Sequence, residues 1–180
     1  MTFSEPKYVD NDITKPDESI IKLANDLNLE KHPNGGFFKE TYRSEKVIED
    51  HKLTTAINFI MTCESSIGKF HTNQKSTTIH ILQGGRGKYI LIKENGEIEE
   101  FIVGFDLEKG EKTQWIVEPG TYKGCYIMPI EGEEISSKDY LWVSEIVVPG
   151  FEFSDMKFLD NEALISKIGI ENGEKLTFLL

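Results

Sequence analysis

At 180 residues the chain is long enough to bury a hydrophobic core without disulfides or a structural metal, and it is expected to form one domain. Its formal charge of −11 and pI near 4.9 argue against nucleic acid or an anionic membrane as main partner, because both need a positive surface that releases counterions. No apolar run approaches the ~20 residues of a membrane-spanning helix, and the N-terminus lacks a basic segment followed by an apolar one.

Residues 1–13 are polar and unpatterned and read as a loose arm; residues 14–180 read as the domain. A helix is predicted over about 16–27: Pro16 suits a first turn, Asp17 and Glu18 favour the positive end of the helix dipole, and Ile20, Leu23, Ala24 and Leu27 recur at helical spacing. From Phe37 to Val148 the pattern changes to short β-rich runs, with strands expected near 36–44, 53–63, 67–71, 77–82, 88–94, 97–103, 113–118, 122–128 and 139–148. Asn95-Gly96 between two of them predicts a hairpin with a type I′ turn. Gly84-Gly85-Arg86-Gly87 sits between two strands and opens no helix, which favours a tight turn over a phosphate loop. The acidic run Glu131-Gly-Glu-Glu134 lacks the spacing of a calcium loop and reads as solvated. Asp160 is a plausible N-cap for a short helix bearing Ala163, Leu164 and Ile168, ended by Gly169 and packed across the outside of the sheets. Cys63 and Cys125 lie inside apolar runs and read as buried, inert thiols. With no secretory leader, they point to the reducing cytoplasm, the nucleus being a second option.

About nine closely spaced strands suit a sandwich or a barrel. Three stretches make the choice more specific: His32-Pro-Asn-Gly-Gly-Phe-Phe-Lys-Glu-Thr-Tyr-Arg-Ser44, then Phe70-His71 with His80 nine residues on, then Val147-Val-Pro-Gly-Phe-Glu-Phe153. Together they resemble the cupin family known as Cupin-5, or domain of unknown function 985, especially its fungal members. The resemblance runs from about Leu29 to Phe158. It implies an all-β cupin fold, a double-stranded β-helix or jelly-roll barrel with a few short flanking helices, a pocket at one end and a homodimer. It supplies no established reaction.

Metal-dependent cupins resemble one another in two motifs, HxH followed four residues later by Glu, and PxG followed two residues later by His. Here the first reads His71-Thr-Asn73 with Thr77 or Thr78 at the acid position, and the second Glu118-Pro-Gly120-Thr-Tyr-Lys123, so one ligand slot of four is filled. Lys123 in the last slot has no lone pair as an ammonium and repels a cation. Many family relatives carry Ser-Asp-Glu around the positions where this chain has Lys75-Ser76-Thr77. No metal and no other cofactor is therefore expected, although His71, His80 and Glu40 remain an alternative, unconventional ligand set.

His71 also aligns with the base histidine of the sugar-nucleotide epimerases, in which an imidazole removes a proton beside a carbonyl and a tyrosine returns one. The plain alternative is a core histidine bonded to backbone, an alternative that also stands for His80 and more strongly for His32 and His51. On a regular strand Phe38, Glu40 and Tyr42 share one face, which makes Glu40 a candidate acid or base and Tyr42 a candidate donor, or else Glu40 a rim residue satisfied by Arg43 or Lys123. The candidate catalytic residues are thus His71, Glu40 and Tyr42. The candidate ligand contacts are His80, Gln114, Tyr122, Lys123 and Phe38, with Trp115 as core filler or stacking platform. Lys69, Lys75, Arg86, Lys88 and Lys123 could offset the negative charge around the pocket. Two functions compete: a metal-free isomerase or epimerase acting on a small carbonyl compound or sugar nucleotide, and a module that binds a small metabolite without converting it. A metal-dependent cupin dioxygenase is a third, disfavoured by the missing ligands.

Overall fold

The computed structural model describes residues 6, 9, 12–32, 36–132 and 134–180. The expected N-terminal arm, the Pro33-Asn34-Gly35 turn and Glu133 of the acidic run fall wholly or mostly outside that range. Helix α1 (Glu18–Asp26) starts two residues later than predicted, because Asp17 is the N-cap and accepts a hydrogen bond from the Ser19 amide at 2.9 Å. Its buried residues, Ile20 and Ala24, pack with Phe37 and Ile60.

Thirteen strands follow among the described residues: β1 (Glu30–Lys31), β2 (Phe37–Arg43), β3 (Val47–Ile48), β4 (His51–Lys52), β5 (Thr55–Thr62), β6 (Ile67–Asn73), β7 (Thr77–Gly85), β8 (Gly87–Ile92), β9 (Ile98–Val103), β10 (Gln114–Val117), β11 (Tyr122–Ile127), β12 (Tyr140–Val148) and β13 (Met156–Phe158). They form a six-stranded sheet, β1-β2-β5-β12-β7-β10, facing a five-stranded sheet, β13-β6-β11-β8-β9, with β3 and β4 as a separate small hairpin. All pairings between strands are antiparallel. Alternate residues of each strand point inward, and Met61, Leu82, Tyr89, Phe101, Trp115, Cys125, Leu141 and Val143 fill the space between the sheets. This is the jelly-roll arrangement expected of a cupin.

The Asn95-Gly96 hairpin forms between β8 and β9, but with a different turn. Of its two central residues only Gly96 has positive φ, 82°, and its amide donates to the Lys93 carbonyl at 3.0 Å while Lys93 N donates to Glu97 O at 2.9 Å. That is a type I turn followed by a left-handed glycine, the common three-residue loop, instead of type I′. The glycines near 84–87 are likewise used differently from expectation. Gly84 and Gly85 end β7, which runs three residues past its predicted limit, and a Cβ on Gly85 would lie 1.9 Å from the Tyr140 carbonyl. The missing side chain lets β12 approach; the chain then crosses to the opposite sheet at Arg86.

Helix α2 (Asn161–Ile168) is capped by Asp160, which accepts from the Ala163 amide at 2.8 Å, and ends at Gly169 with φ 80°. A further helix, α3 (Ile170–Leu176), follows directly. Leu164, Leu176 and Leu179 pack with Phe70, Ile90, Ile92 and Tyr126 on the outer side of the five-stranded sheet, as anticipated for α2. No helix among the described residues is long and apolar enough to cross a membrane.

Candidate functional site

Strand register brings four ionisable side chains, His71, His80, Lys123 and Glu145, together between the sheets. On β12 Leu141, Val143 and Glu145 share the inward face; on β7 Thr78, His80 and Leu82; on β11 Lys123, Cys125 and Ile127. Glu145 is paired with His80 across one sheet, and Lys123 with His71 across the other. Directly opposed residues on one face have Cβ atoms about 5 Å apart, so the two pairs meet as the sheets close.

Lys123, 5% exposed, is the centre of the cluster. Its Nζ donates to Glu145 Oε2 at 2.8 Å and lies 2.9 Å from His80 Nε2. An ammonium has only donors, so Nε2 of His80 accepts and the ring proton sits on Nδ1, which is buried without a hydrogen-bond partner. The His80 ring is fully buried and stacks on Trp115, centroids 5.0 Å apart and planes 14° from parallel. His71 is only half-buried; its Nδ1 donates to the Lys69 carbonyl at 2.8 Å. A carbonyl only accepts, which fixes the tautomer and leaves the Nε2 lone pair of His71 without a partner among the described residues.

Burial, and then the adjacent Lys123 charge, lower the pKa of His71 to about 4 and that of His80 to about 3. Both rings are neutral at pH 7. For Glu145 burial opposes ionisation, but the charge and hydrogen bond of Lys123 outweigh it and hold the carboxyl down to about 2. Proton abstraction suits an imidazole whose pKa lies near neutrality; burial and Lys123 place that of His71 well below.

The other predicted residues divide. Phe38 lies on β2 next to Phe59 of β5, and His32 packs edge-on against both rings at 4.9 and 5.9 Å. Glu40 is in line with Ile57, Glu145, His80 and Trp115 across four strand pairings, on the inner face. It is gripped by Arg43, whose Nε and Nη2 each bond one carboxylate oxygen at 2.8 Å while Nη1 reaches Glu152 at 3.0 Å. The rim reading of Glu40 is the one this fork describes. Tyr42 does not share the face of Glu40: the β2–β5 register shifts between them, Tyr42 pairs with Ala56, and it points outward, 54% exposed. A β-bulge inserts one residue and reverses the alternation beyond it. Tyr122 also points away from the interior, since Lys123 beside it points in; its ring packs with the outer cluster and lies 5.6 Å from Lys167 Nζ. Gln114 is exposed and, with Leu91, Glu99, Phe101, Lys112, Trp115 and Ile116, borders a cleft of about 490 Å³ beside the edge strands β9 and β10. That cleft does not include His71, His80, Lys123 or Glu145, which converge in the interior instead.

The metal that many cupins carry does not fit these residues. Lys123 Nζ sits between His80 and Glu145, so the position where a ligand histidine would stand holds a cation. Among the described residues no three His, Cys, Asp or Glu side chains converge on a point that could hold an ion. In the alternative set, Glu40 is occupied by Arg43 and His80 by Lys123. Cys63 and Cys125 are buried, and burial raises the Cys125 thiol to about 12.

Two participants were not singled out from the sequence. Glu145 was legible in principle, as a carboxylate at an inward position of the alternation Leu141, Val143, Glu145, Val147. His51, read from the sequence as a structural histidine, is 5% exposed and lies between two carboxylates, Nδ1 2.6 Å from Asp50 and Nε2 2.5 Å from Asp155; Lys75 is 3.3 Å from Asp50. Its partner Asp155 is 104 residues away, so no local signal exists.

Comparison with known proteins agrees with the fold. The chain is 38% identical to the uncharacterized protein YML079W of Saccharomyces cerevisiae, the alignment covering 96% of this chain and 91% of that protein. Among solved structures, protein SO0799 of Shewanella oneidensis superposes with a TM-score of 0.72 at 25% identity, over 92% of this chain and 97% of that one. A hypothetical protein from Leishmania major gives the same TM-score of 0.72 and the same coverages, 92% and 97%, at 23% identity, a likeness of fold alone. The family model for the cupin superfamily, domain of unknown function 985, matches residues 21–159, from α1 through β13, and the chain belongs to that family.

Proposed function

We propose that this cupin is a metal-free proton-transfer enzyme that acts on a small carbonyl compound, with His71 as the base and Lys123 as the group that steadies the developing oxyanion. The observation that carries the reading is the pairing of His71 with Lys123 on adjacent strands, one with a free lone pair and one with N–H donors. In the step, His71 Nε2 takes a proton from the carbon beside the carbonyl, the C–H pair becomes a C=C bond, and the carbonyl π pair moves to oxygen, where Lys123 N–H meets it. The imidazolium returns a proton to carbon. No oxidant or reductant is involved. A two-faced epimerase mechanism is less well supported, because Tyr42, the candidate second donor, points outward.

The test is exchange of carbon-bound protons of dihydroxyacetone and hydroxyacetone in D₂O, followed by proton NMR. Wild type is expected to accelerate exchange over buffer, and His71→Asn to lose on the order of 10²-fold or more. Equal rates for wild type and His71→Asn would remove His71 from the mechanism. A specific observation favours the competing reading, binding without conversion: a pKa near 4 makes His71 a weak base. Ligand recovered unchanged and unexchanged after prolonged incubation would select it.

A further inference from the structure

An ammonium has three N–H donors, and two of those on Lys123 are spent, one on Glu145 at 2.8 Å and one on His80 at 2.9 Å. The third has no partner among the described residues. His71, directly opposite, likewise keeps one unspent lone pair. The cluster therefore offers one donor and one acceptor, and its formal charges cancel: Lys123 against Glu145, with both imidazoles neutral. Of the other cations the sequence set around the pocket, three are already paired and Lys69 is exposed. Glu40 and Glu152 share the single guanidinium of Arg43, while Lys75, Arg86 and Lys88 are paired with Asp50, Glu111 and Glu100.

We propose that Glu145 is the specificity-determining residue of this site: by neutralising Lys123 and occupying one of its N–H groups, it admits an uncharged carbonyl compound and turns away phosphate and carboxylate anions. The inference rests on the assignment of His71 and Lys123 as the reacting pair, and it names the substrate class of that pair. An anion entering here would give up its hydration with no net positive charge to replace it, and would meet the Glu145 carboxylate as a like charge. A neutral carbonyl needs one donor for its oxygen and one base for its adjacent C–H, which is what remains. Glu145 acts through Lys123 and is a positioning residue.

The experiment titrates wild type, Glu145→Gln and Glu145→Asp with dihydroxyacetone, inorganic phosphate and pyruvate, following the His71 ring resonances by NMR. In wild type dihydroxyacetone is expected to shift them at concentrations where phosphate and pyruvate do not. Glu145→Gln, which leaves Lys123 uncompensated, should bind the anions on the order of tenfold more tightly or better; Glu145→Asp should keep the wild-type order. A merely structural role would weaken all three probes together. A folded Glu145→Gln protein with no gain in anion affinity overturns the proposal. If that variant does not fold, wild type still decides: phosphate or pyruvate bound at His71 as tightly as dihydroxyacetone contradicts it, and preference for dihydroxyacetone supports it. Loss of the deuterium-exchange activity alone, with the charge preference intact, would defeat the catalytic reading and leave the selectivity standing.

Discussion

Two histidine clusters in this molecule are built from the same residue types and end in opposite charge states. In the interior, His71 and His80 lie beside Lys123, with Glu145 bonded to the lysine, and both imidazoles are held neutral. At the β3–β4 hairpin, His51 lies between Asp50 and Asp155, with Lys75 outside, and its pKa is raised, chiefly by its bonds to Asp155 and then Asp50. Both ring nitrogens of His51 face acceptors, so the ring is a charged clasp that ties the hairpin to the segment after β12. A histidine with its lone pair available can take a proton from a substrate; one whose nitrogens are both donors cannot. Burial beside a cation gives the one and a pair of bonded carboxylates the other, and this separates a candidate base from a structural cation.

The largest expected effect comes from removing the lysine that makes the difference. Lys123→Met strands Glu145 in the interior, and loss of one partner of a buried pair costs about 3–5 kcal/mol; urea unfolding should show this, while NMR should show His71 titrating nearer its ordinary 6.5. If His71 stays near 4 in that variant, burial alone sets its charge and the comparison fails. A second effect concerns acid. The folded pKa values of His71 and His80 lie below 6.5, so the unfolded chain binds more protons; stability is fully present above pH 6.5 and is lost as pH falls toward about 4 and 3. The loss should reach a few kcal/mol, since each tenfold weakening of proton binding corresponds to ~1.4 kcal/mol, and a flat stability profile from pH 7 to 4 would contradict neutral burial of these rings.

The clasp should behave in the opposite sense. His51 has a raised folded pKa, so its stabilising contribution is fully present below pH 6.5 and is lost as pH rises through the higher folded value. Asp155→Asn should therefore lower the thermal midpoint more at pH 6 than at pH 9; an equal loss at both would show that His51 is uncharged in the fold. The smallest effect is predicted for Tyr42→Phe, an outward-facing change expected to fall within about 0.5 kcal/mol of wild type and to leave deuterium exchange unaltered. A large loss of exchange would bring Tyr42 back into the mechanism against its position on the sheet.

Much of the fold could be read from local patterns. The strand positions, the Asp160 cap with its Gly169 stop, and the pairing of β8 with β9 follow from alternation and turn chemistry, which act over a few residues. The candidate site was legible as far as composition allowed: the lysine in a ligand slot at Lys123 and the two histidines nine residues apart were visible, and the structure brings all three together. The errors lie where a long-range geometric choice overrides alternation. One bulged residue in β2 turns Tyr42 outward, and no composition rule locates a bulge. Tyr122 fails for a simpler reason, since it adjoins Lys123 and two neighbours on a strand cannot both face inward. The clasp at His51 and the ion pair at Glu145 depend on partners brought in from distant strands, and only the register reveals them.

The most direct test of the account is an NMR pH titration of the four histidine rings in the folded wild-type protein from pH 3 to 9. His51 is predicted to titrate above 6.5, His32 below it, and His71 near 4, with His80 neutral until about 3. A His71 that titrates at or above 6.5, together with the other rings, would mean that burial and Lys123 do not hold it neutral, and the contrast drawn between the two histidine clusters would fall.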